Sequence, residues 1–266
     1  MKLTILKFFI FFITFGLISC SNDENNLTEN TKSNVKNQDA ITHNYLTEPN
    51  SINSEWEEAS NPENPLDYIG YEHNMFLQNF DENNYNMESL DEVYSIIEDH
   101  FNEEGQVDNL ASREFLEPII NNVINYDFES YINQINVSSF QRSKLLELIQ
   151  IIDDYDGNNI ELITNQIKDF ENQLESYSLE EKSVILIASS VSRYSMLYWD
   201  TKYPVTNGLF KGWKLRKWLT IAADAIGGAA GAAAGSSTVI GAVAGAVKGA
   251  GATSAAFDKA WDILSK

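Results

Sequence analysis

GGAAGAAAGSSTVIGAVAGAVKGAG, residues 227–251, is the stretch whose reading decides the fold. A glycine inside an ordinary helix costs about 1 kcal/mol relative to alanine, so a run this rich in glycine needs a physical reason. Gly227, Gly231 and Gly235 stand four apart, and so do Gly241, Gly245 and Gly249. On a helix each triplet forms a ridge without side chains along one face. The pattern predicts a hairpin of two helical arms, roughly 219–235 and 238–257, with a turn at Ser236-Ser237. The glycines let the two backbones approach, held by dispersion and weak Cα–H contacts in place of side-chain knobs.

Such arms would be roughly 25–30 Å long, near the thickness of a bilayer. Trp213, Lys214, Arg216, Lys217 and Trp218 precede the first arm, and Trp261 follows the second. A hairpin brings both flanks to one side, where basic and aromatic residues suit a membrane interface. Against insertion, alanine and glycine release little free energy on entering lipid, and Asp224 and Lys248 would be costly in a dry site. Three placements stay open: membrane association, docking on the protein's own bundle, or assembly with other chains. The segment resembles the glycine-zipper segments of bacterial envelope lipoproteins and membrane-active peptides.

Upstream the apolar periodicity is helical throughout. Leu66, Ile69, Gly70, His73, Phe76, Leu77 and Phe80 trace one face of a helix opened by Pro65. Ser89 with Glu92, Ser138 with Gln141, and Ser178 with Glu181 have the spacing of capping boxes. Pro118 predicts one bent helix or two short ones across 112–135. Positions 160–177 alternate like two heptads of a bundle helix. Residues 184–199 are apolar on nearly every side and belong at a bundle centre. No alternating strand pattern stands beside hairpin turns. The fold class is therefore all-α, a helical bundle with a C-terminal Gly/Ala-rich hairpin.

The front end carries a different signal. Lys2 and Lys7 are followed by an apolar run and then by Leu17-Ile18-Ser19-Cys20, the only cysteine of the 266 residues. A charged start, a short apolar middle and a small residue before the cut make a secretory signal. Leu17-Ile18-Ser19-Cys20 resembles the lipobox of bacterial lipoproteins, which implies a signal peptide over 1–19 and acylation of Cys20. Ser21-Asn22-Asp23-Glu24 resembles the acidic export tag of surface lipoproteins of Bacteroidota. These resemblances imply an outer-membrane address, with the bilayer as partner through the acyl chains on Cys20, and the cell surface if the acidic run acts as a tag. Residues 20–63 are polar and lack apolar periodicity, which predicts a disordered tether. The organisation is then signal, tether, an acidic bundle over 64–201, and the basic flank with its hairpin over 202–266. Asn64-Pro65-Leu66-Asp67-Tyr68-Ile69-Gly70-Tyr71-Glu72-His73-Asn74, with the serine-rich 189–199 and the glycine tail, also resembles a set of helical Bacteroidota proteins, which implies no activity.

Charge divides the chain sharply. Residues 1–201 hold 10 Lys/Arg against 36 Asp/Glu, and residues 202–266 hold 8 against 3. The acidic body repels nucleic acid, and the basic cluster at 211–217 is too short to argue for it. Of the three histidines, His43 lies in the tether, while His73 and His100 lack the spacing of a bundle metal site. Asp153-Asp154-Tyr155-Asp156-Gly157 fails as a calcium loop, because Ile152 and Ile163 would occupy ligand positions. Phosphate-loop and nucleophile-elbow motifs are missing. The expectation is a non-enzymatic protein without cofactor, whose hairpin serves membrane association, self-association or packing with a helical partner. The alternative is a bacteriocin-like, membrane-active protein whose acidic bundle masks the hairpin.

Overall fold

The computed structural model describes residues 54–83, 85–103, 109–155, 159–203, 211–235 and 239–265. Cys20, the signal, most of the tether, and the turn at Ser236-Ser237 lie outside the described residues. Within them a 3₁₀ turn, Ser54–Ala59, is followed by nine α-helices: α1 Tyr68–Glu82, α2 Leu90–Glu103, α3 Arg113–Ile124, α4 Phe128–Ile132, α5 Ser139–Asp153, α6 Ile160–Asn172, α7 Leu179–Lys202, α8 Lys211–Ala234 and α9 Val239–Leu264. The described residues contain no strand, and the chain is an all-α bundle.

The hairpin α8–α9 is the centre of this bundle. Every position from Arg216 to Ala233 and from Ala242 to Asp258 is buried. The helix α7 lies along α8; α1 and α2 cover α9; α3 touches both arms; α5 and α6 close over α7. Of the placements open to the hairpin, the described residues occupy the second, docking on the protein's own helices. Both arms run longer than the glycine pattern predicts, because the basic and aromatic flanks continue the helices. No helix among the described residues is long and apolar enough to cross a membrane.

The glycines meet across the arms in antiparallel register. A methyl group on Gly231 would run into the carbonyl of Gly245, and one on Gly245 into the carbonyl of Gly231. The contact repeats one turn either way. A methyl on Gly235 would meet the carbonyl of Gly241, and one on Gly249 would lie 2.6 Å from the carbonyl of Gly227. At each of these positions the obstacle is backbone, which cannot rotate out of the way. Gly70 plays the same part where α1 crosses α7. Its amide donates to Ser190 Oγ at 3.1 Å, and a methyl there would sit 2.6 Å from the Ser190 carbonyl.

Local signals set most helix starts. The Ser138–Gln141 and Ser178–Glu181 boxes form both of their reciprocal bonds. At α2 only half forms: Glu92 N donates to Ser89 Oγ, but the Glu92 carboxylate accepts from Glu88 N. The segment 112–135 is two helices, but Pro118 does not separate them. It sits within α3, and the chain turns at Tyr126, whose φ of 59° closes α3. The amide of Asp127 bonds back to the Asn122 carbonyl and that of Tyr126 to Val123, the Schellman pattern usually built on glycine. The helix α1 starts at Tyr68 rather than Pro65, because Asn64 Oδ1 caps the amide of Leu66 in a preceding turn. The helical pattern over 160–177 stops at Asn172, leaving Tyr177 outside it to stack on Phe140. Residues 54–63, read from sequence as the end of the tether, belong to the folded body: Trp56, Ala59 and Asn61 are buried.

Glycines that face backbone and glycines that face side chains should respond oppositely to a methyl group. Gly231→Ala should lower the unfolding free energy by about 3 kcal/mol, since overpacking meets a rigid carbonyl. The nearest atoms to a methyl on Gly228 would be side-chain atoms of Val191, Ala250 and Ile187, at 3.4–3.8 Å. Gly228→Ala should therefore stabilise by up to about 1 kcal/mol through helix propensity. Urea unfolding of the two variants reads the difference.

Candidate functional site

Three clusters of polar and charged side chains lie inside the bundle, each binding the hairpin or its neighbour α7 to another element. The first is built on Arg193 of α7, which has 0% exposure. Its guanidinium donates to Asp67 Oδ1 at 2.6 Å, to Glu171 Oε1 at 3.0 Å, and to the carbonyl of Ala59. Glu171 also accepts from Asn61 Nδ2 at 2.5 Å, Asn64 Nδ2 at 2.8 Å and Ser189 Oγ at 2.6 Å. Asp67 accepts from Ser60 Oγ, the amide of Asn61 and Tyr194 Oη. Burial opposes the charge of Arg193, but Glu171 and Asp67 outweigh it and hold the guanidinium above its ordinary range. The stretch Asn61–Asp67 is thus a strap laid over α6 and α7. Its asparagines and its aspartate spend their side chains on the carboxylate–guanidinium centre.

The second cluster joins α1, α7 and α8. Asp224 of α8 and His73 of α1 are both fully enclosed, with His73 Nε2 3.7 Å from Asp224 Oδ2. Ser195 Oγ donates to Asp224 Oδ2 at 2.5 Å and Trp199 Nε1 at 3.0 Å, both from α7. Burial pushes Asp224 up to about 7, against the pull of Ser195, Ser254 and Trp199. Burial likewise pushes His73 down to about 4, opposed by its bond to Asn74. Around them His73 Nε2, Asp224 Oδ1, Thr253 Oγ1 and Ser254 Oγ are buried without a hydrogen bond of acceptable geometry.

The third cluster closes the base of the hairpin. Arg216 of α8 donates through Nε to Asp258 Oδ1 at 3.0 Å and through Nη1 to Asp262 Oδ1 at 2.6 Å, both on α9. The ring of Tyr203 covers the guanidinium at 4.6 Å, and its hydroxyl donates to Asp258. Lys202 reaches Asp81 at 2.5 Å and lies 4.7 Å over the Trp199 ring. Lys217 pairs with Asp200.

These positions bear on the residues read from sequence as a membrane belt. Arg216, Lys217 and Trp218 are interior. Trp218 stacks on Tyr126 at 5.4 Å and receives the edge of Phe128. Lys214 and Trp261 are half-buried, with Trp261 against Phe257. The side chain of Trp213 and all of Cys20 lie outside the described residues. The glycines 227, 231, 245 and 249 are brought together as described, with Gly235 against Gly241 toward the tip. His73 and His100 have separate surroundings, since His100 Nδ1 meets Tyr85 Oη at 3.1 Å. Among the described residues no group of three or more His, Cys, Asp or Glu could hold a metal. A hollow between α5 and α8, lined by Leu148, Ile149, Ala225 and Ala229, measures about 10 Å³ and is apolar. That is the room of one water at most.

Arg193, His73 and Asp224 present no surface to a solute, and each fixes the crossing of two helices. Sequence reading passed over Asn61, Glu171 and Asp224 as members of a site. The available signal was polarity in the wrong place: Arg193 amid serines in an otherwise apolar helix, and one aspartate inside an alanine-rich arm.

No protein-family model, curated protein or solved structure matches this chain.

Removing the central guanidinium leaves Glu171 buried and uncompensated. Arg193→Ala should therefore cost about 3–5 kcal/mol. Arg113→Ala, which breaks exposed pairs with Asp91 and Glu117, should leave the unfolding midpoint essentially where it is. Thermal unfolding of both variants checks the contrast.

Proposed function

We propose that the protein is a non-enzymatic lipoprotein of a bacterial outer membrane, held to the bilayer by acyl chains on Cys20 and presenting a helical body at the end of a tether. One observation carries this reading: a sole cysteine directly after Leu17-Ile18-Ser19, behind a basic start and a short apolar run. The buried hairpin supports a division of labour. Its glycine faces are consumed against each other, so attachment falls to lipid on Cys20, while the glycine zipper assembles the body by holding its central pair of helices together. A single acyl chain binds a membrane only marginally, and stable anchoring takes more than one, as the multiple acylation of the lipoproteins it resembles provides.

A bacteriocin-like reading is favoured by the enclosure of a basic, glycine-rich hairpin under acidic helices, the arrangement a masked effector requires. Dye release from anionic vesicles by the mature protein would support it, and intact vesicles would end it.

In cells fed labelled palmitate, the natural chain should take up label and fractionate with the outer membrane. Cys20→Ala should take up none and leave that fraction, with its helical circular dichroism unchanged. Label on the variant, or undiminished flotation of it, contradicts the anchor.

A further inference from the structure

His73 and Asp224 close the contact between α1 and the hairpin, and the neighbours of His73 settle which of its nitrogens carries hydrogen. Asn74 Nδ2 donates to the Tyr194 carbonyl at 2.9 Å. The Asn74 oxygen therefore faces His73 Nδ1, at 3.1 Å, and can only accept. Nδ1 carries the hydrogen, and Nε2 of the neutral ring presents a lone pair. That lone pair is 3.7 Å from Asp224 Oδ2. With Asp224 ionised, acceptor would face acceptor in a fully enclosed site, where an unmet polar group is costly. A single added proton removes the conflict.

We propose that His73 and Asp224 hold one proton between them in the folded protein, and that this proton locks α1 onto the glycine hairpin, so that its loss above neutral pH loosens α1. Among the described residues, the ion-pair contact of Asp224 is the one with His73, and the nearby charged groups are placed as follows. On α7, Arg193 is committed to Asp67 and Glu171, and Tyr194 donates to Asp67. On α9, Asp258 is held by Arg216, and its negative charge pushes Asp224 further up; Lys248 is buried earlier on the same helix. Glu72, next to His73 on α1, is itself raised by burial. The faces that α3 and α5 bury are apolar, and His100 of α2 is engaged with Tyr85.

The proton changes owner on folding. Near pH 5 the unfolded chain carries it on His73, whose ordinary value is 6.5, and the folded chain carries it on Asp224, raised from 3.8 to about 7. Both states then bind the same number of protons, so the pair adds no slope to stability between about pH 4 and 6.5. Each partner alone would add one. His73, lowered in the fold, gives stability that is present above its unfolded value and lost as pH falls toward 4. Asp224, raised in the fold, gives stability that is present below its unfolded value and lost as pH rises toward 7.

Amide hydrogen exchange of the whole protein at pH 6.0 and 8.5, corrected for intrinsic rates, tests the lock. In the natural chain α1 amides should exchange about threefold faster at pH 8.5, while those of α5 hold steady, because the opened helix returns His73 to its ordinary value and leaves only the interval from 6.5 to about 7 uncompensated. Asp224→Asn, which keeps the shape and cannot ionise, should reverse the difference, since His73 alone then favours opening at pH 6.0. Unfolding midpoints from pH 4.5 to 6.5, taken relative to the natural chain at each pH, should rise for Asp224→Asn and fall for His73→Gln. Equal α1 protection at both pH values in the natural chain overturns the proposal without any variant. So do two variants whose midpoints, relative to the natural chain, slope the same way.

Discussion

Two backbones meeting without side chains between them is the constraint on which this structure depends. Where Gly231 and Gly245 face each other, the carbonyl of each occupies the space a methyl group would need on the other. Contact at that range gains dispersion along the length of both arms, offsetting the conformational cost that glycine brings to a helix. It also makes the hairpin thin. A thin pair of helices can be surrounded on all sides by α1, α2, α3, α5 and α7, and the alanines flanking the glycines give those helices a smooth surface to pack on. The hairpin is a core in the form of a hairpin, built from residues that release little free energy individually and gain through proximity.

Such a smooth core specifies register poorly, because alanine and glycine offer few knobs. The buried polar clusters supply what is missing. Arg193 can satisfy Asp67, Glu171 and the Ala59 carbonyl together only when the strap, α6 and α7 are correctly placed. Asp224 meets Ser195, Trp199 and His73 only at one rotation of α8 against α7 and α1. Arg216 fixes the two arms at their base through Asp258 and Asp262. The +5 excess of residues 202–266 over their own acids is partly answered inside the body, where Lys202 and Lys217 reach Asp81 and Asp200.

How much of this is legible in the residues depends on the range of the interaction. Helix identity is local, and periodicity with capping boxes locates it: Ser138 and Ser178 start their helices where they should. The four-residue spacing of the glycines is also local, and it marks faces that approach closely. What covers the hairpin is not local. The same alanine-rich surface would suit lipid, a partner or its own bundle, and only tertiary packing decides among them. Arg216, Lys217 and Trp218 illustrate the difficulty, since a basic and aromatic flank has the same composition whether it lies at a membrane or folds back onto Asp258, Asp200 and Tyr126. Pro118 marks a break in composition, yet the turn falls at Tyr126, where the αL cap gains a stack on Trp218. The site at Arg193 assembles residues more than a hundred positions apart, beyond the reach of any spacing rule.

The central claim is that the glycine faces are buried against each other within one folded chain. The most direct measurement is the interhelical Hα–Hα nuclear Overhauser effect between Gly231 and Gly245, recorded on the protein lacking residues 1–20 in detergent-free buffer. Close backbone apposition predicts a strong cross-peak between these residues in a dilute sample. A cross-peak that is absent in buffer, or that develops only on adding lipid, would contradict the account.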